Sequence, residues 1–363
     1  MELMQANREW ASRPADERFV SLLDMQAKAH AIKDSGRERE VSSRSLRFVP
    51  DAAEPMRGLR IEGPNGGALG LTNWAFGQVA RAVGAYPSYL SRLPAPLVAD
   101  AMNYHLQVDT DPTPLLAYYG ADDRVMRAAT GPKYGRIYNA DIVDSLVSRF
   151  GDGFSGDWRV PGTWGKALTE VTKENTTLFM SDRDMFCFLA DEKNKLELPN
   201  RRNGKAGALS RGIFFRNSEV GNSSVQVTMF LFDFVCGNRI VWGATDVEEI
   251  RIRHSVTAPD RWLDESLPVI KAYAESAASP IEAKLIAAQN AKLEKADEWL
   301  ANRFGKKAAA TFAAAHMADE SRPIESLWDV ATAITAAARD IEWQDARVDM
   351  EREAGKVLDL VAP

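Results

Sequence analysis

The chain is poor in the residues from which metal centres and disulfide frameworks are built: 363 residues include two cysteines and four histidines. Cys187 and Cys236 each sit in an apolar, strand-like run, the setting of a buried, reduced thiol. His30, His105, His254 and His316 lie far apart, and neither HExxH nor CxxC occurs, so no metal and no cofactor are expected. His254, beside Arg251 and Arg253, reads as a surface cation. There is no GxxxxGK[ST]. Gly204-Lys205-Ala206 has the glycine and lysine but lacks the spacing and the Ser/Thr that a nucleotide-bound Mg²⁺ needs, which argues against a P-loop ATPase. A GxSxG nucleophile elbow is also missing. No apolar run approaches the roughly eighteen residues of a membrane span, and MELMQANREW has no signal-like apolar core, so a cytoplasmic protein without membrane contact is expected.

What is present is ordinary globular composition with uneven charge. Hydrophobic residues make up 45% and charged residues 26%, enough to build a core and no reason to invoke disorder. The net charge of -6 gathers in the last third, where residues 256–363 carry 13 Lys and Arg against 19 Asp and Glu. The segment 193–216 runs the other way, with Lys193, Lys195, Arg201, Arg202, Lys205, Arg211 and Arg216 against Glu197 alone, a local +6. A polyanion would bind there, or the charge keeps a solvated loop from pairing edge to edge.

The most informative stretch is Gly204–Gly243. Ile213 and Phe215 alternate with Phe214 and Arg216, and Asn217, Ser218 and Gly221 then supply turn residues. Val225, Val227, Met229 and Leu231 resume the alternation. Val225, Met229, Phe232 and Cys236 also fit a helical stripe, but β-branched residues and flanking glycines favour a strand. Cys236 to Arg239 reads as a turn before a short strand at Ile240–Trp242.

The runs RGIFFRNSEVG and FLFDFVCGNRIVWG resemble the hallmark of a phage and plasmid family catalogued as domain of unknown function 932. LTNWAFGQVARAVGAYPSYLSRLP (Leu71–Pro94), RAATGPKYGRIYNADIVDSL (Arg127–Leu146), SLWDVATAITAAAR and REAGKVLDL fit the same pattern, so the likeness spans roughly residues 40 to 360. The resemblance implies a mobile-element setting in a bacterial host and brings no settled activity with it.

In chain order, residues 16–34 read as an amphipathic helix with Asp16 and Glu17 in its first turn. Strands are expected at 41–49 and 59–61, then a Thr72-capped helix to Val83 and a second helix over 95–108. Strands at 115–119 and 124–129 flank a turn, and Asn139 caps a helix to Phe150. Further strands recur at 156–160, 167–171, 176–180 and 185–190. After Pro259 helical spacing takes over through 273–300, 308–317, 324–338 and 343–360, with Pro280 opening the longest helix. The expected fold is α+β: an N-terminal helix (1–39), a core (40–258) with a central, mostly antiparallel β-sheet flanked by helices, and an α-helical C-terminal region (259–363) that packs on the sheet or mediates homo-oligomerisation.

Three readings of function stay open. The first is binding of single-stranded nucleic acid, most concretely DNA during annealing, recombination or replication: Lys193, Arg201, Arg202, Lys205, Arg211 and Arg216 would neutralise phosphate, and the loop Gly131–Tyr138 would add Lys133, Tyr134, Arg136 and Tyr138 as a stacking edge. The second is an interaction protein acting on a host factor through the acidic C-terminal third, for example in counter-defence. The third is an Mg²⁺-dependent nuclease built on Asp122-Asp123, Asp109 with Asp111, or Asp182 with Asp184, which would share a strand face. Asp233, amid phenylalanines, is expected to pair with Arg239 or Arg216.

Overall fold

The computed structural model describes residues 14–361 except 63–65, 109–112, 122–123, 161–170, 174–175, 199–206, 234–238, 241–248, 277 and 342–343; residues 230, 232–233, 239–240, 249, 278–280, 344–345 and 348 are described in backbone only. Two sheets, not one, carry the strands. The larger holds β1 (Arg18–Phe19), β8 (Trp158–Arg159), β9 (Leu178–Met180), β10 (Met185–Asp191), β11 (Leu196–Leu198), β12 (Gly207–Asn217), β13 (Val225–Asp233), β14 (Arg239–Ile240) and β15 (Glu249–Ile252). Its central order is β1-β9-β10-β12-β13-β14, with β8 on β10, β11 on β12 and β15 on β13, and every pairing is antiparallel. The smaller holds β2 (Arg37–Ser42), β3 (Arg47–Pro50), β4 (Leu59–Glu62), β5 (Ala68–Leu71), β6 (Pro114–Gly120) and β7 (Val125–Thr130) in the order β2-β6-β7-β5-β4-β3, with β5 and β7 parallel.

The helices are α1 (Leu22–Asp34), α2 (Asn73–Ala82), α3 (Pro87–Leu90), α4 (Ala95–Val108), α5 (Asn139–Phe150), α6 (Ala258–Ala274), α7 (Ala278–Asn290), α8 (Ala296–Phe304), α9 (Lys306–Glu320), α10 (Leu327–Ala338) and α11 (Gln344–Leu358). The α+β class with C-terminal helices is the one the patterning predicts. The Thr72 hydroxyl accepts the Ala75 N–H at 3.1 Å and so starts α2 where the sequence places it.

Three large apolar cores form among the described residues. The small sheet packs Phe48, Ile61 and Met126 against Val79 of α2 and Met102 of α4. The large sheet buries Cys187, Ile213, Phe215 and Met229 with Leu22 and Met25 of α1, Ile142 of α5 and Trp262 of α6. Leu196, Leu198, Leu209 and Leu231 turn instead toward Leu285, Phe312, Trp328 and Ile334, so the last helices close on one end of the large sheet. Burial drives the Cys187 thiol pKa well above its ordinary range, which keeps it protonated. Cys236 lies outside the described residues.

Candidate nucleic-acid interface

The turn that follows β12 joins the two sheets. Just before it, the last residue of β12, Asn217, donates from Nδ2 to the Ile137 carbonyl at 2.9 Å and to Asn139 Oδ1 at 2.8 Å. Ser218 donates to the Arg183 carbonyl and offers its own carbonyl to the Tyr134 hydroxyl at 2.8 Å. Glu219 binds Arg127 of β7 with Oε2 and takes the Asn139 N–H at 2.9 Å with Oε1. Asn139 is thus the first residue of α5 rather than its cap, and the carboxylate that meets this helix N-terminus comes from Glu219. The Val220 carbonyl accepts from Trp74 Nε1 at 2.8 Å and Gln78 Nε2 at 2.7 Å. Gly221 ends the turn at φ +84°, and an added Cβ there would press on Gln78 Nε2 and Thr130 Cγ2, each 3.3 Å away.

Behind this turn runs a succession of rings and cations. Arg127 and Arg136 lie 5.0 and 4.1 Å from the centroid of the buried Tyr118 ring, Arg136 lies 5.3 Å from that of Tyr134, and Tyr134 stacks on His254 at 4.8 Å and 21°. Arg136, its side chain 1% exposed, donates from Nε to Glu38 Oε1 of β2 at 2.6 Å. Burial pushes the Tyr134 phenol pKa far up, so the group stays a donor to Ser218.

Two open clefts flank Tyr134 and Gly221, which line both. One, of about 580 Å³, runs past Gln78, Arg81, Pro114, Leu115 and Pro132. The other, of about 420 Å³, is walled by Ser223, Ser224, Arg251, Arg253 and His254. Arg81, Arg251 and Arg253 are exposed, and none of the described residues lining either cleft is Asp or Glu. The strand period explains half of this: Ile250 and Ile252 face the large core, which leaves Arg251 and Arg253 outward.

A family described as Domain of unknown function (DUF932) matches residues 172–356, just over half of the chain. The chain belongs to this family. Comparison with curated proteins and with solved structures returns no match. The DUF932 region supplies Gly221, Ser223, Arg251, Arg253 and His254 to the groove, while Arg81 and Tyr134 precede it.

The cations expected from the sequence fall into three groups. Arg136 and Arg211 are corrections: both are buried, Arg136 on Glu38 and Arg211 at 3.5 Å from Asp191, with a further bond to the Ser276 carbonyl, so neither reaches a surface. Lys133 and Lys193 are exposed, the latter 3.2 Å from Asp157, and Arg216 is half-buried over the Phe186 ring. Arg201, Arg202 and Lys205 lie outside the described residues. The tyrosines do not form a free stacking edge, because Tyr134 carries His254 and Arg136, and Tyr138 carries Lys33 at 5.1 Å and meets Tyr118 edge-on.

Other expectations change as well. His254 is not a surface cation but a buried ring whose pKa burial lowers to about 4, with the nearby Arg136 charge adding to the effect. Asp182 and Asp184 do not converge: Asp182 is half-exposed, whereas Asp184 is buried and accepts from Ser181 Oγ at 2.9 Å. Asp109, Asp111, Asp122, Asp123 and the Asp233 side chain are outside the described residues. Sequence reasoning missed Arg81, Tyr118, Arg127 and Glu219; the loop Gly131–Tyr138 and the Arg-Ile-Arg alternation at 251–253 were the local signals for the groove.

Proposed function

We propose that the chain binds single-stranded nucleic acid, DNA foremost, in the groove that crosses Tyr134 and Gly221. The observation that carries this reading is the pair of clefts on either side of Tyr134 and Gly221, bearing Arg81, Arg251 and Arg253 with no carboxylate among their described lining residues. In a chain of net charge -6, such a groove is where a polyanion meets the least repulsion and the most focused attraction. Each cleft has the volume of a small-molecule pocket, which suits successive nucleotides of one strand rather than a duplex. The exposed rings of Pro114 and Pro132 give unstacked bases an apolar surface. The mobile-element setting implied by the resemblance would place such binding in recombination or replication, and no catalytic step is part of the reading.

A mobility-shift assay with single- and double-stranded oligonucleotides at two salt concentrations tests it. The expected result is retention of the single strand that weakens as salt rises. No retention of the single strand at low salt would overturn the reading and favour a protein partner.

A further inference from the structure

His254 departs from the cationic character of the groove. The residue is 8% exposed, and Tyr134 stacked upon it fixes its ring plane. Its Nδ1 lies 3.1 Å from the Gly135 carbonyl, which can only accept, so Nδ1 carries the proton of the neutral ring. Nε2 is then a bare acceptor, buried and without a hydrogen-bond partner among the described residues. Ser223 Oγ, on the wall of the same cleft, is also buried and unpartnered among them. With the imidazole pKa held near 4 by burial, against opposing pulls from the Gly135 and Ser223 backbone, the ring stays neutral at physiological pH.

Arg251 and Arg253 put positive charge on this cleft, but a phosphodiester oxygen carries no hydrogen and cannot satisfy Nε2. An occupant that serves both must present a negative charge to Arg251 and Arg253 and, close by, an N–H to the histidine. A bare polyanion does not have that combination, whereas a nucleotide does. We propose that the cleft between Tyr134 and Arg253 is a nucleotide subsite in which His254 Nε2 accepts a hydrogen bond from a base N–H while Arg251 and Arg253 hold the adjoining phosphate. Ser223 Oγ supplies a second contact to the base edge. The subsite rests on the strand-binding reading for the continuation of the backbone toward Arg81, but a mononucleotide occupies it alone. It adds recognition of a base edge to the attraction of the groove for a polyanion.

Two measurements on the full chain test this. In the first, the affinities of an oligodeoxycytidine and of an abasic strand of equal length are compared for the parent, His254→Phe and His254→Gln. The parent is expected to prefer the base-bearing strand by about tenfold, in keeping with one hydrogen bond. His254→Phe loses the share of that preference that the hydrogen bond supplies and keeps the share from the prolines of the neighbouring cleft, and His254→Gln, which keeps an acceptor, retains part of the hydrogen-bond share. In the second, imidazole nitrogen resonances of the parent are followed by NMR during titration with deoxycytidine monophosphate or inorganic phosphate. A shift of His254 Nε2 with the nucleotide and not with phosphate is expected, and this arm decides even where His254→Phe fails to fold. Equal preferences in parent and His254→Phe, or an Nε2 resonance unmoved by the nucleotide, would overturn the subsite and leave water as its occupant. An Nε2 shift by the nucleotide in a protein that retains no strand would uphold the subsite and refute the strand-binding reading alone.

Discussion

Arg127 Nη1 and Glu219 Oε2 meet at 3.2 Å across the joint between the two sheets, with 9% and 1% of their side chains exposed. Arg127 belongs to β7 of the small sheet and Glu219 to the turn after β12 of the large one, so the pair ties together two separately packed cores. Each charge has further partners, the Asp182 carbonyl on Arg127 and the Asn139 N–H on Glu219. Removing one partner leaves the other charge buried and uncompensated. Glu219→Ala is therefore expected to cost about 3–5 kcal/mol in urea denaturation, and a Glu219→Met, Arg127→Met double variant less than the sum of its single changes. A loss below about 1 kcal/mol for Glu219→Ala would show that the joint does not depend on the pair.

Gly135 sets the approach of the groove loop to the chain after β15. An added Cβ would overlap the Ser255 carbonyl oxygen and stand 2.9 Å from Pro259 Cδ, and neither backbone nor ring can yield cheaply. The glycine is what allows Tyr134 to bridge to Ser255 and stack on His254. Gly135→Ala is expected to lower stability by about 1–3 kcal/mol and to weaken the Tyr134–His254 ring contact, seen as loss of the ring-current shift on the His254 protons. An unchanged spectrum would mean the loop reaches its place without this close approach.

Local features of the fold were legible because they need no distant partner. The Thr72 cap, the α4 span, the β6–β7 hairpin and the alternation through β12 and β13 are written in adjacent residues. Where the reading fails, a remote segment has intervened. Residues 16–19 look helical, but Arg18 and Phe19 pair with Phe179 and Leu178, and α1 begins only after Ser21, whose side chain accepts the Asp24 N–H. The run 273–300 reads as one helix, yet α7 stops at Asn290 and Lys292 bridges to Ser326. Alternation marks strands without saying which sheet they join. For the same reason a count of cations could not separate Arg136 and Arg211, drawn inward by Glu38 and Asp191, from Arg81 and Arg253, which stay outside.

The neutral His254 gives stability a pH dependence of definite sign. Its folded pKa of about 4 lies below the ordinary 6.5, so the unfolded chain takes up a proton that the folded chain refuses. Stability is complete above about pH 6.5 and falls as pH drops toward about 4, by up to about 3 kcal/mol. The lowered carboxyl groups Asp144 and Asp329 lose their contributions only below the ordinary 3.8, outside this window. Denaturation of the parent and His254→Gln at pH 7 and pH 5 should show a shallower loss in the variant. Equal losses would assign the dependence to other groups.

The arginines of the groove make the most direct prediction about binding. If Arg81, Arg251 and Arg253 each meet one phosphate of a single strand, log K should fall with log salt at a slope of about -2, from roughly -0.7 per contact. Reversing all three to Glu should abolish binding at low salt, with the melting temperature measured alongside because Arg81 also lies 5.8 Å from the centroid of the Trp74 ring. Lys193→Glu, by contrast, removes a cation already 3.2 Å from Asp157 and should leave affinity as it was. The run Arg201, Arg202 and Lys205 supplies the counter-test, since its charge stands in sequence beside β12 but outside the described residues. Loss of binding on reversal of that run, with the groove variant still binding and still showing a slope near -2, would move the strand from the Tyr134 groove to the basic segment. The two triple variants measured side by side therefore locate the phosphate contacts, whichever way the comparison falls.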